Sequence, residues 1–257
     1  MGIKVRSLIK TPEEIRKMTR AGEILAIARK AAKEAIAPGV TGKQIDAIFR
    51  QAVEKAGGTP IFLGYRPDGA DKPYPASICF SVNDVVVHGV PTDEPIKVGD
   101  VVSVDMGAGF EGYCADSAFT VGVGKISPAA QKLIEATRES LEIAIKEAKP
   151  GATLGDIGYA IQSHIKKAGF KVAQGLTGHG IGAHMHEEPY VFNEGKPGTG
   201  LRLEPGMCFA IEPMVAIGTG KIVQLEDDSY AIADGSLSAH FEHTIVITEK
   251  GAKILTA

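Results

Sequence analysis

A chain of 257 residues with 44% hydrophobic and 23% charged residues has ample material for a folded core and none of the bias of a disordered or fibrous protein. Its net charge of −3, with the basic residues scattered, argues against a nucleic-acid-binding stripe. Three well-separated cysteines, Cys79, Cys114 and Cys208, form neither a disulfide framework nor a zinc-ribbon pattern and suit a reducing compartment.

The opening "MGIKVRSLIK" lacks the apolar core of a signal peptide, and Arg6 stands where a myristoylation signal has Ser or Thr. No apolar run approaches the roughly 18 residues of a membrane span, so the cytoplasm is the expected location. Thr11-Pro12-Glu13-Glu14 combines a helix N-cap, a first-turn proline and a capping box. The helix it opens should stop at Pro38-Gly39. Thr41 and Gln44 start a second helix ending near Gly57-Gly58. Ser127-Pro128 opens a third, which stops before Pro150-Gly151, and Thr153 caps a fourth that ends at Gly169.

The second and fourth helices repeat each other. "PGVTGKQIDAIFRQAVEKAG" (38–57) and "PGATLGDIGYAIQSHIKKAG" (150–169) share seven of twenty residues without a gap, against about one by chance. Strand-like runs follow each helix pair: "ASICFSV", "VVVHGV", "DVVSVDM" and "CADSAFTVGV" in the first half, "GMCFAIEPMVAI", "GKIVQL", "SYAIA" and "HFEHTIVIT" in the second. The order ααβββ-ααβββ predicts an α+β layer fold, a single domain of residues 1–257 made of pseudo-symmetric halves of about 1–124 and 125–257.

The acids occupy matching places in the halves. "VGDVVSVD" (98–105) and "PGMCFAIE" (205–212) each end an apolar run on an acid, Asp105 and Glu212. Asp116 and Glu242 precede the corresponding runs "SAFTVGV" and "HTIVIT". Any one of these acids alone reads as a strand-end or capping residue. Four on strands buried on one face require pairing or cations, and two divalent ions would balance their charge. An oxygen-rich site with one imidazole suits Mn²⁺, Fe²⁺ or Co²⁺, and Zn²⁺ also fits. The run "GHGIGAHMHEEP" (178–189) holds three histidines but no H-E-x-x-H helix, because Pro189 and Tyr190 break the pattern. On its own it reads as a tight loop.

Five segments in order, "SVNDVVVHGVP" (81–91), "DVVSVDMGAGFEGYCADSAFT" (100–120), "GHGIGAHMHEEP" (178–189), "FAIEPMV" (209–215) and "SAHFEHTIVIT" (238–248), resemble the signature segments of the methionine aminopeptidases, most closely the short type I bacterial form. The resemblance implies the pita-bread fold and a dinuclear metal site: Asp105 chelating one ion, His179 and Glu212 the other, with Asp116 and Glu242 bridging. It further implies a metal-bridging hydroxide as nucleophile, Glu212 as general base and proton shuttle, and His88 and His186 at the scissile amide. A methionine pocket is expected from Tyr65, Cys79 and Met185, with Phe62 and Tyr74, although the loop 65–75 looks longer than usual. Asn83, Val85 and Ser238 match the family's monovalent cation (Na⁺ or K⁺) site. His184 falls at no functional position. His164, His240 and His243 read as surface residues or as supports behind the ligands. The implied substrates are nascent polypeptides beginning with methionine and a small second residue, met by a monomer with transient ribosome association. Three rivals share the fold: X-Pro-specific peptidases, which normally carry a large N-terminal domain; the eukaryotic type II methionine enzymes, for whose insertion the interval between Glu212 and Glu242 leaves no room; and non-catalytic binding modules that have lost metal ligands.

Overall fold

A computed structural model describes residues 8–66 and 72–257 of the protein. The first residues read above for sorting signals, and the centre of the loop 65–75, lie outside the described residues. Four helices form where the capping signals place them: α1 (Pro12–Ala35), α2 (Gly42–Lys55), α3 (Pro128–Glu147) and α4 (Leu154–Ala168). Thr11 and Thr41 make reciprocal capping boxes with Glu14 and Gln44, and Ser127 accepts from Ala130 N. Thr153 makes a box with Asp156, a partner the S/T-x-x-E/Q pattern misses. Each cap is worth about 1 kcal/mol. Gly169 ends α4 in the left-handed conformation, φ 88°, as a C-terminal glycine does.

The helices pack as α1 on α2 and α3 on α4, and their inner faces, with Leu25, Ile45, Phe49, Leu133, Ile157 and Ile161 fully buried, share a core with the strands. All strand pairs are antiparallel. In the first half the long strand Val101–Phe110 pairs with Ile78–Val82 on one side and Tyr113–Gly122 on the other. In the second half His243–Thr248 pairs with Cys208–Ile211, which continues through Thr177–Gly180 to Glu187–Phe192.

Three details depart from the simple ααβββ reading. The run 206–217 splits into Cys208–Ile211 and Met214–Ala216 around Glu212-Pro213, because Pro213 has no N–H to continue a ladder. The run 240–248 breaks at Phe241-Glu242, between Ser238–His240 and His243–Thr248. The supposed loop at 178–189 contains the strand Thr177–Gly180 and opens another at Glu187. Its glycines hide the strand signal but serve it. A Cβ on Gly178 would lie 2.4 Å from the Ala210 carbonyl oxygen, and one on Gly180 would lie 2.2 Å from that of Glu188.

The halves are stitched together where the acids lie. Asp116 N donates to Thr244 Oγ1 (2.8 Å), and that hydroxyl returns its proton to Asp116 O (2.9 Å). Ser117 Oγ donates to Glu242 O (3.0 Å), Glu242 N to Ala118 O (3.0 Å) and Thr120 Oγ1 to His240 O (2.7 Å).

Candidate metal centre and adjoining pocket

Those cross-half bonds bring Asp116 and Glu242 side by side, both buried. One ligand atom each from Asp116, His179 and Glu242 lies within 4.8 Å of the others. Glu212, also buried, puts Oε1 3.5 Å from His179 Nε2. Asp105 sits mid-strand opposite Ala118 and Cys79, close enough to raise the pKa of Asp116 and Glu242 and to have its own raised by Glu212.

The electrostatics are those of a site suited to cations. Burial first, and then Asp105 and Glu212, push Asp116 well above the ordinary carboxylate range. Glu242 is raised by burial and by Asp116, Glu212 and Asp105, and Glu212 by burial. Asp105 rises to about 6, chiefly by burial, with His240 opposing. Asp105 Oδ1 and Glu242 Oε1 are buried with no hydrogen-bond partner among the described residues. His179 adds a further mark. Its Nδ1 lies 2.9 Å from Gly180 O, and a carbonyl only accepts, so the proton is on Nδ1 and the Nε2 lone pair faces Glu212. Burial holds this imidazole near pKa 4, hence neutral at neutral pH. Two acceptors facing each other at this distance are relieved by a cation between them. The donor set, carboxylate oxygens and one neutral imidazole, fits divalent ions of the Mn²⁺, Fe²⁺, Co²⁺ or Zn²⁺ kind.

Against this cluster lies a group of packed apolar side chains. Phe62, Cys79 and Met185 form one buried group, with Tyr65, Tyr74 and Ile61 packed on it. The five residues read from sequence as a methionine pocket are therefore neighbours. Gly107, two residues beyond Asp105, makes room: a Cβ there would lie 2.8 Å from Phe62 Cε1. Tyr74 Oη donates to Gly89 O (2.8 Å) and Ile78 O (3.0 Å), and burial raises its pKa. Burial, then the charge of Asp105, keeps the Cys79 thiol protonated.

His186 and His88 stand at the open side. The His186 ring meets His179 edge-on at 4.4 Å between centroids, and its Nδ1 lies 2.7 Å from Tyr65 Oη. Burial, then His179 and His88, lowers its pKa to about 3. His88 lies at the end of Val85–Val87 with φ 62°, a left-handed conformation uncommon for a non-glycine residue. It stacks on Tyr230 at 5.8 Å, and desolvation and His240 lower its pKa. The turn bearing His184 and His186 is clamped by Glu187, whose Oε1 accepts from His184 N (3.0 Å) and whose Oε2 accepts from Lys10 Nζ (2.6 Å).

The remaining sequence candidates separate clearly. The carbonyls of Asn83 and Val85 converge on the Ser238 hydroxyl, at 3.1 and 3.0 Å. His184 is exposed. His164 is half-buried beside Glu139 (3.3 Å). Of the two readings of His240 and His243, surface or support, the geometry fits the second: His240 is 1% exposed and 3.4 Å from Glu212, and the half-buried His243 lies 2.8 Å from Thr256 Oγ1 and 3.5 Å from an Arg29 nitrogen. Lys10 was not singled out from sequence, and His240 was named there only as a surface residue or a support behind the ligands. For His240 the period-two spacing from Glu242 was the available signal; for Lys10 there was none.

A duplicated α+β scaffold gathering three buried acids, a half-buried fourth and a neutral imidazole defines a metal-dependent hydrolase centre. Residues 16–249 match metallopeptidase family M24, and the chain belongs to that family. Methionine aminopeptidases are among its relatives within that family. That of Aquifex aeolicus (strain VF5) is 48% identical over 248 residues, covering 95% of this chain and 96% of that protein. The crystal structure of the Thermotoga maritima methionine aminopeptidase superposes with a TM-score of 0.93 at 44% identity, covering 98% of this chain and 99% of that one. The prolidase of Pyrococcus furiosus shares the fold at 28% identity and a TM-score of 0.77, and this chain covers only 65% of it. The pita-bread fold is thus established. Among the described residues no helix is long and apolar enough to cross a membrane.

Proposed function

We propose that this chain, acting as one catalytic domain, is a methionyl aminopeptidase that removes the first methionine from polypeptides whose second residue is small. The observation that carries the reading is the direct contact of acid cluster and pocket: Cys79 of the pocket is the strand partner of Asp105 of the cluster. A methionine side chain in the pocket therefore leaves its own amide beside the acids.

Asp105, Asp116, His179, Glu212 and Glu242 would hold two divalent ions, Asp105 on one, His179 and Glu212 on the other, Asp116 and Glu242 shared. When bound, such ions lower the pKa of water to give a nucleophile near neutral pH and neutralise the buried acids. Glu212 takes the proton from the attacking water and passes it to the leaving amine. His186 donates to the carbonyl oxygen as it gains charge. Its tautomer is set by Tyr65: an O–H donated to Nδ1 leaves the proton on Nε2. His88 supports the same amide from the opposite rim. Phe62, Tyr65, Tyr74, Cys79 and Met185 hold the methionine, and the free α-amine lies toward Asp105, which accounts for exopeptidase action. The carbonyls of Asn83 and Val85, with Ser238, form a monovalent cation site. The substrates are nascent chains in the cytoplasm, met by a monomer that visits the ribosome.

The deciding assay is methionine release from Met-Gly and Met-Ala peptides by metal-stripped protein, then with Mn²⁺, Fe²⁺ or Co²⁺ added. A Leu-Gly-Gly control, an X-Pro dipeptide and His88→Ala run alongside. Metal-dependent release from the Met peptides alone, largely lost in the variant, is expected. Cleavage of the X-Pro substrate instead would move the chain to the proline-specific branch, and no cleavage by folded protein would leave it a binding module.

A further inference from the structure

His240 lies buried beside the acid cluster, 1% exposed, and neither of its ring nitrogens has a hydrogen-bond partner among the described residues. A buried imidazole left in that state costs about 1–3 kcal/mol, and an apolar residue of similar size would avoid the cost. Its backbone is fixed in place. His240 N donates to Thr120 Oγ1 (2.8 Å), the same hydroxyl donates to His240 O (2.7 Å), and Ser103 Oγ lies 2.8 Å from it. His240 also pairs with Met214, two residues beyond Glu212 on the next strand. This register aims Nε2 at Glu212 Oε2, 3.4 Å away. Glu212 is therefore flanked by two imidazoles, Oε1 by His179 and Oε2 by His240. The first presents a lone pair. The second has a nitrogen free to present its N–H.

We infer that His240 is a positioning residue for Glu212: its Nε2–H holds Oε2, fixing the rotation of the carboxylate so that Oε1 is turned to His179 and to the ion between them. The inference rests on the metal-centre reading above and adds to it a residue that touches neither substrate nor ion. Oε2 is anchored to the protein, and Oε1, turned to the cation, keeps its second lone pair for the proton of the attacking water. An unlocked Glu212 would rotate and offer either oxygen, or both, weakening the site on the His179 side. Outer hydrogen bonds of this kind are commonly worth about 10–100-fold in metal affinity.

The test compares metal-stripped wild type with His240→Gln, His240→Asn and His240→Leu. The Gln amide nitrogen reaches the place of Nε2, whereas the shorter Asn reaches only that of Nδ1. Co²⁺ and Mn²⁺ are titrated calorimetrically, the Co²⁺ visible spectrum is recorded, and circular dichroism and thermal unfolding establish that each variant is folded. Expected are about 10–100-fold weaker binding of one ion and an altered Co²⁺ spectrum for Leu and Asn, with Gln within about threefold of wild type. With metal saturating, kcat on Met-Ala falls for Leu and Asn while KM holds. Folded Leu and Asn variants binding Co²⁺ as wild type does would overturn the inference and leave the metal centre standing. So would a folded Gln variant as weak as Leu. Wild type that takes up no Co²⁺ would overturn the metal centre itself, and this inference with it.

Discussion

The acid cluster and the apolar pocket meet at the Cys79–Asp105 strand pair but are built by different rules. The cluster draws on both halves at corresponding places, Asp105 with Glu212 and Asp116 with Glu242. Even the residue types follow the backbone. The short aspartates sit inside unbroken ten-residue strands, whereas the longer glutamates sit at the breaks Glu212-Pro213 and Phe241-Glu242. The pocket has no such symmetry. Phe62, Tyr65, Tyr74 and Cys79 come from the first half and only Met185 from the second. Charge placement thus follows a duplicated backbone, whereas the apolar group is drawn almost wholly from the first half.

If that division holds, substitutions should separate the two regions. Asp116→Asn or Glu242→Gln should abolish both metal uptake, read calorimetrically, and methionine release, exceeding the ~10²–10³-fold loss typical of one contact to the reacting atoms. His186→Ala should show that smaller loss, about 10²–10³-fold in kcat, with metal affinity kept. Met185→Ala should raise KM for Met peptides and cost about 2–4 kcal/mol in denaturant unfolding, again with metal affinity kept. A parallel loss of Co²⁺ binding in that variant would show the regions to be one unit. Tyr65→Phe should cost about 1 kcal/mol, near fivefold in kcat, by releasing the His186 tautomer.

A last effect, on stability rather than on rate, is one of pH. In the metal-free fold Asp105 has a pKa of about 6 against an ordinary 3.8, so the folded state holds this proton more tightly than the unfolded one. Through this group the metal-free protein loses stability as pH rises from about 4 to about 6, and above that the deficit is constant. Bound cations require the ionised acids and remove the deficit. The rise in Tm on adding Mn²⁺ should therefore grow between pH 5 and pH 7, and a flat difference would count against Asp105 as a ligand.

Much of the scaffold is legible in the sequence because its signals are local. Thr11, Thr41, Ser127 and Thr153 announce their helices through capping chemistry, and the repeat announces the duplication. Strand breaks were less visible, since Glu212 and Glu242 lie in runs whose composition is continuous and whose interruption is set by Pro213 and by the cross-half bonds. The strand Thr177–Gly180 was hidden because its glycines answer to close neighbours from elsewhere in the chain, and glycine carries no strand preference. The partnership of Lys10 with Glu187 and of His240 with Glu212 depends on contacts between distant segments, for which no local pattern exists.

The reciprocal bonds between Asp116 and Thr244 make the centre a logical conjunction. Neither half holds more than two of the four acids, and the backbone that aligns one pair is completed only by the other. Separately produced halves should each be silent, and their activity on mixing would report reassembly with almost no background, the behaviour wanted of a split sensor.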